Sequence, residues 1–190
     1  MTERLVRGYT LVGTHAYVDN ELAEHKDAIL KQLSPDVRNA IEGYKPVEWY
    51  PIRHWTEVLR GIAAIAGDDE KKAIELLSNA GQAIGRLAMT TFLKLLLKIM
   101  TPSLFSSKLP SIWERDNNTG KIIRESFDND KRRWVYKLAE IEDYDYIGPV
   151  GYGYTVLAMK QMGKDDVKVT MSGWSLKTPG PKEVVYTVEW

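Results

Sequence analysis

The 190-residue chain contains no cysteine. Disulfides, thiolate metal sites, a cysteine nucleophile and thiolate-held iron–sulfur clusters are therefore excluded, and the redox compartment cannot be read. Histidine is scarce: His15, His25 and His54 are the three in the chain. None stands in an H-E-x-x-H or comparable ligand spacing, which argues against a histidine-rich zinc or iron site. The chain also lacks a net charge, since 26 basic side chains balance 26 acidic ones. No field gathers a phosphate backbone, and nucleic-acid binding is not expected. Long hydrophobic runs are missing too. The most apolar stretch, residues 87–100, carries Lys94 and Lys98 and falls short of the roughly 20 apolar residues that cross a bilayer. Residues 1–7 lead into Gly8-Tyr9-Thr10 rather than an apolar h-region, so no secretory signal is read and a cytoplasmic location is expected.

What is present is patterned. Residues 5–17 are β-branched and aromatic with interspersed glycines, which predicts one strand. Asp19 or Asn20 can cap a helix through Leu22, Ile29 and Leu33, and Pro35 opens a second short one ending at Gly43. Pro51 introduces a helix through Trp55, Val58, Leu59 and Ile62, and Asp68 or Asp69 caps the next. Residues 84–100 are apolar enough to lie near the centre of the fold, so Leu93, Leu96, Leu97 and Trp113 are expected to be buried. A helix over 103–115 carries Pro110 inside it, which predicts a kink or two pieces.

The period then changes. Residues 121–127 and 133–138 flank the turn-prone Asp128-Asn129-Asp130 as a hairpin, a helix covers 147–162, and residues 167–174 and 183–190 form a second hairpin around Thr178-Pro179-Gly180-Pro181. No repeat or linker interrupts the chain, so residues 1–190 are read as one domain. Strands gathered at one end after a helical middle define an α+β class, a helical layer packed on an antiparallel sheet, and disfavour a dinucleotide-binding topology.

Few motifs carry chemistry. The glycine-rich piece 148–155 precedes the helix and could hold an anion on backbone amides, but it lacks the Lys-Ser/Thr ending of a phosphate loop; close packing is the alternative. A calcium-loop register over 115–120 puts Arg115 at the first ligand position and fails. Glu140, Glu142, Asp143 and Asp145 form an acidic cluster without histidine, and no metal site is read there. No G-x-S-x-G elbow supports a serine hydrolase. His54, at the start of a helix behind Trp49-Tyr50-Pro51, could line a pocket or ligate haem, or simply bond to backbone. Six tryptophans and ten tyrosines are many for this length, and rings with one polar atom suit both cores and ligand sites.

The words Val6-Arg7-Gly8, Trp49-Tyr50-Pro51, Pro110-Ser111-Ile112-Trp113 and Tyr186-Thr187-Val188-Glu189-Trp190, taken in order over nearly the whole chain, resemble an uncharacterised paralogous family of about this length expanded in myxobacteria. More distantly, the layout is similar to vinyl-reductase-type ligand-binding domains, haem-based nitric-oxide sensors and TRAPP transport subunits. The resemblance implies a helical layer on an antiparallel sheet, often dimeric, around an apolar pocket for a ligand or acyl chain. Relatives often carry cysteines near the last two strands, where this chain has Ser172-Gly173-Trp174, so a thiol-dependent role is excluded. The haem sensors use a proximal histidine within a helix, and none of the three histidines aligns to it, so the cofactor stays unknown, with haem an alternative only.

These readings converge on a non-enzymatic domain that binds an apolar or lipid-like small molecule in a sensory or regulatory role, with a homodimer expected. Its pocket would lie between residues 84–100 and the sheet, bordered by Trp49, Tyr50, His54, Trp113 and Tyr152, with no catalytic or metal residues. Two alternatives stand beside it. One is a protein-interaction or assembly subunit without a small ligand. The other is an enzyme on an apolar small molecule, with His54, Tyr50 or the acidic cluster as acid and base.

Overall fold

The computed structural model describes residues 3–88, 97–141 and 144–190. The architecture is α+β, as the strand and helix periods predict. Strand β1 (Leu5–Arg7) pairs antiparallel with β2 (Trp49–Pro51). Between them run α1 (Gly8–Glu21), a 3₁₀ turn at Ala23–His25, α2 (Lys26–Gln32), α3 (Pro35–Ala40) and a second 3₁₀ turn at Ile41–Gly43. Helices α4 (Ile52–Ala64), α5 (Glu70–Ala88) and α6 (Pro102–Asp116) follow. The main sheet holds β3 (Lys121–Asp128), β4 (Arg133–Ala139), β5 (Lys168–Ser172) and β6 (Glu183–Glu189) in the order β3-β4-β6-β5, with α7 (Ile147–Gln161) inserted between β4 and β5.

Both expected hairpins form. Asp128 closes the first by accepting from the Asp130 and Lys131 amides, and β5 pairs with β6 in the second. Strand alternation then buries one face: Trp134 lies opposite Val188, Tyr136 opposite Tyr186 and Leu138 opposite Val184, all of them in the core. Asp69 caps α5, its carboxylate accepting from the Lys72 amide. No helix among the described residues is long and apolar enough to cross a membrane.

Residues 5–17 are not one strand. After three extended residues the chain enters α1, although Arg7 supplies no side-chain cap. The Gly8 and Tyr9 amides instead donate to the Glu48 and Pro46 carbonyls at 2.8 and 3.0 Å, so a loop distant in sequence satisfies the helix end. Thr10, Leu11, Thr14, Tyr17 and Val18 then fall on one buried face at helical spacing.

Three further expectations are corrected. No separate central helix starts at Ile84, because α5 runs through it to Ala88. Leu97 is buried, while Leu93 and Leu96 lie outside the described residues. Trp113 is half-buried rather than core, since its indole N–H reaches out to the Thr119 carbonyl at 3.0 Å. Pro110 does not split α6. Thr101 caps that helix on the Leu104 amide, and the buried Phe105 and Leu109 ahead of the proline hold the segment as one element.

The helix read over residues 147–162 forms as α7, and the glycine-rich piece 148–155 makes its first turns rather than preceding it. Its glycines permit contact at backbone distance. A Cβ on Gly153 would collide with the Ser78 carbonyl of α5, and one on Gly81 with the Val150 carbonyl of α7. Gly153→Val is therefore expected to cost about 3 kcal/mol or more, measured by denaturant unfolding, whereas the same change at Gly163, where φ is +73° and space is open, should cost only its backbone strain.

Candidate functional site

The close approach of α5 and α7 leaves a cavity of about 100 Å³ between these helices, α1, α4, α6 and the inner face of β3, β4 and β6. Its wall is aromatic and aliphatic: Tyr9, Trp55, Trp113, Tyr136, Tyr154 and Tyr186 supply rings, and Ile84, Leu109, Ile112, Ile122, Leu138 and Val150 supply branched carbons. Tyr136 and Tyr186 stack with ring centres 4.7 Å apart at 13°, forming its floor on the sheet.

Most polar wall groups can be followed to their partners. The Tyr136 hydroxyl lies 2.6 Å from Thr155 Oγ1, which donates to the Gly151 carbonyl at 2.8 Å. The Tyr186 hydroxyl donates to the Gly148 carbonyl at 3.0 Å. Trp55 Nε1 donates to Thr14 Oγ1 at 3.0 Å, and Thr14 in turn donates to the Thr10 carbonyl. Asn117 accepts from the Tyr144 hydroxyl at 2.9 Å and donates to the Trp113 carbonyl at 3.0 Å.

One charge reaches the wall. The Asp116 carboxylate is buried, accepts from the Tyr9 hydroxyl at 2.9 Å, and takes two hydrogen bonds from the Arg115 guanidinium at 2.8 and 2.6 Å. A two-point pair of this kind offsets the carboxylate charge with fixed geometry. It holds Arg115 protonated far above its ordinary range, while burial, with smaller contributions from Tyr154 and Asp116, pushes the Tyr9 phenol well up. Tyr154 differs from its neighbours. Its phenol is pushed up to about 12, chiefly by burial and then by Asp116, and among the described residues its hydroxyl has no hydrogen-bond partner.

Of the residues singled out from the sequence, Trp113 lines this cavity, and Trp49, Tyr50, His54 and Tyr152 are not on its wall. Tyr152 is half-buried on α7. Trp49 is exposed and carries the Arg7 guanidinium 4.1 Å above its ring. Tyr50 stands edge-on to Tyr44 with ring centres 4.8 Å apart and accepts from the Lys45 amide at 2.9 Å. His54 Nδ1 meets the Tyr44 hydroxyl at 2.9 Å, and His15 stacks on the other side of Tyr44. Tyr50, His54 and His15 thus surround Tyr44. Of the acidic cluster, Glu140 pairs with Lys121 and Asp145 approaches Arg60 at 3.9 Å, while Glu142 and Asp143 lie outside the described residues. The residues the sequence reading did not single out are Tyr9, Asp116, Tyr136, Tyr154, Thr155 and Tyr186. Period-two alternation in β4 and β6 is a signal that puts Tyr136 and Tyr186 on one face, but no local signal joins them to Tyr9 or Asp116.

A helical layer of this order, closed by a four-stranded antiparallel sheet, is the fold of the H-NOX domains. The H-NOX protein from K. algicida superposes with a TM-score of 0.71 at 11% identity over 96% of this chain and 95% of that one. A point mutant of the same protein, in the Fe(II) unliganded state, gives 0.70 at 14% identity over 96% and 95%. An H-NOX protein from S. oneidensis in the Fe(II)NO state gives 0.63 at 9% identity over 96% and 98%. No family model and no curated protein matches the chain by sequence.

The Tyr44 cluster generates a pH dependence. Burial lowers the His15 pKa to about 4, and burial followed by Arg53 lowers that of His54. Both native histidines thus bind protons more weakly than in the unfolded chain, whose histidines titrate near 6.5. Their contribution to stability is complete above that value and is lost as the pH falls from about 6.5 towards 4. His15 alone should cost about 1–2 kcal/mol between pH 7 and pH 5 after allowance for its partial exposure. Urea unfolding at the two pH values checks this, and His15→Gln should flatten the slope.

Proposed function

We propose that the chain is a non-enzymatic small-molecule-binding domain with a sensory or regulatory role, holding its ligand in the aromatic cavity and working without haem. The observation that carries this reading is a ring-lined cavity most of whose polar wall groups, Tyr9, Tyr136, Tyr186 and Trp55 among them, are already bonded within the protein. Such a wall offers contact area and little chemistry, which suits binding better than turnover.

Fold neighbours bear on haem distortion and haem redox potential, and the residues present in this chain decide whether that group fits. Among the described residues the wall has no histidine, methionine, lysine or arginine. His15 and His54 are taken up with Tyr44, and helix α6 carries no histidine at all. Tyrosine can ligate haem iron, but three of the four wall tyrosines already spend their hydroxyls on Asp116, Thr155 and Gly148. A cavity of about 100 Å³ is also below the ~300–1,000 Å³ of sites for larger ligands. The residues do not fit haem, nor a long acyl chain.

The same reading takes the chain as a member of the paralogous family of myxobacterial proteins. In support, its characteristic words stand at defined places: Val6-Arg7-Gly8 at the β1–α1 junction, Trp49-Tyr50-Pro51 as β2, and Pro110-Ser111-Ile112-Trp113 in α6 beside the cavity. It also takes two copies to pair. Leu87, Ile99 and Leu104 keep 43%, 80% and 46% of their surface exposed, and exposed apolar surface of this kind favours association.

Three measurements test the reading. Haemin titration should give no sharp coordination band; uptake of one equivalent with such a band would overturn the haem-free reading. A small-fragment screen by NMR should shift resonances of the cavity wall, and Ile122→Phe, which fills the cavity from β3, should abolish those shifts while keeping the far-UV circular dichroism. Light scattering at micromolar concentration should return twice 21.7 kDa; a monomer mass would reject the dimer.

A further inference from the structure

Building on the function proposed above, and resting on it, we infer that the ligand is a compact, uncharged molecule of about benzene size carrying one hydroxyl or carbonyl group, which pairs with the Tyr154 hydroxyl. Size comes from the cavity itself: a volume of about 100 Å³ is of the order of the ~150 Å³ apolar cavity that takes up benzene. Larger ring systems would have to displace wall side chains packed against both α5 and the sheet.

Charge follows from the wall. Among the described residues no basic side chain lines the cavity, so an anion would meet neither a counter-charge nor a free donor set, only a carboxylate. A cation fares little better. Rings around a carboxylate resemble the cages that hold quaternary ammonium groups, but the Asp116 charge is already offset by the two-point Arg115 pair. Moving a charged ligand out of water into this wall would leave it uncompensated, at high cost. A neutral molecule meets no such penalty.

The single polar group follows from the hydrogen-bond accounting. Tyr9, Tyr136 and Tyr186 are engaged with Asp116, Thr155 and Gly148, as is Trp55 with Thr14. Among the described residues no partner accounts for the Tyr154 hydroxyl, nor for that of the smaller Thr10 beside it on the wall; the Tyr154 phenol, held protonated at neutral pH by burial and then by Asp116, is the stronger donor. It can donate one hydrogen bond and accept another. A ligand with several polar groups would bury the remainder unpaired.

Isothermal titration calorimetry of the full chain with four probes tests this: phenol, toluene, benzoate and tetramethylammonium. Phenol should bind with a Kd of about 0.1–1 mM, as the efficiency of small ligands allows, and toluene roughly three- to tenfold more weakly for want of one hydrogen bond. Benzoate and tetramethylammonium should give no binding heat. Tyr154→Phe should bring phenol down to the toluene level and leave toluene and the melting temperature unchanged, because among the described residues the hydroxyl has no bond to lose. Equal binding of phenol and toluene, or phenol binding unaffected by Tyr154→Phe, would overturn the assignment of Tyr154 while leaving the cavity a binding site. Benzoate or tetramethylammonium binding more tightly than phenol would overturn the uncharged class. Failure of all four probes on the unmodified chain would overturn the cavity as a ligand site and the function proposed from it.

Discussion

The contact between α5 and α7 is made at backbone distance, and the cavity depends on it. Where Gly153 faces the Ser78 carbonyl and Gly81 faces the Val150 carbonyl, neither helix can carry a side chain without pushing the other away. Helices at ordinary spacing are separated by the thickness of their side chains, about 8–10 Å between axes. Removing those side chains lets α7 sink against α5 and turn its other face to the sheet. Gly151 on that face meets the Tyr186 ring and hydroxyl, while Thr155 meets Tyr136. The two contacts keep α7 against β4 and β6 while Val150 and Tyr154 close the wall between them. Glycine in a helix costs up to about 1 kcal/mol relative to alanine, so its presence at positions 148, 151 and 153 needs a tertiary return. Helix-to-helix and helix-to-sheet proximity is that return.

The sheet contributes tyrosines where phenylalanine would pack as well. Tyr136 and Tyr186 stack over one another in register, and each extends its hydroxyl to α7, one to Thr155 and the other to the Gly148 carbonyl. A buried hydroxyl is tolerable when paired and costly when not. The rings therefore form an apolar floor, while their tips fix where the helix lies on it. Burial pushes both phenols above their ordinary pKa, so these bonds are unaffected by pH across the neutral range. Acid sensitivity belongs to the Tyr44 cluster on another side of the molecule, where neutral histidines are packed rather than titrated.

How much of this is legible in the sequence depends on where the deciding interactions lie. Both sheet hairpins are readable because alternation and turn residues are local, and the Asp69 cap because its acceptor and donor are three residues apart. The first segment reads as a strand because β-branched and aromatic residues with glycines fit one by propensity. The helix there is held by the Glu48 and Pro46 carbonyls, some 40 residues away in sequence, and no local pattern announces them. The α7 helix is legible, but the reason for its glycines is not, since their close partners Ser78 and Tyr186 lie on other elements. Trp113 is recognisable as a wall residue because it is large and sits before a hairpin. Tyr9, Asp116 and Tyr154 come from three separate segments and are joined only by the fold, so the free hydroxyl among them has no sequence signature.

The separation between scaffold and site follows from the same accounting. A shared backbone path across nearly the full length at 9–14% identity shows that this fold tolerates almost complete replacement of its side chains. A fold fixes where elements lie, whereas the chemistry of a space between them is set by which atoms line it. In this chain the lining is branched carbon and phenol, with one carboxylate offset by its sequence neighbour Arg115. Among the described residues this wall offers neither imidazole nor sulfur. On the function proposed above, specificity would come from the exclusion of anything too large or charged for the space and from the direction of the Tyr154 hydroxyl.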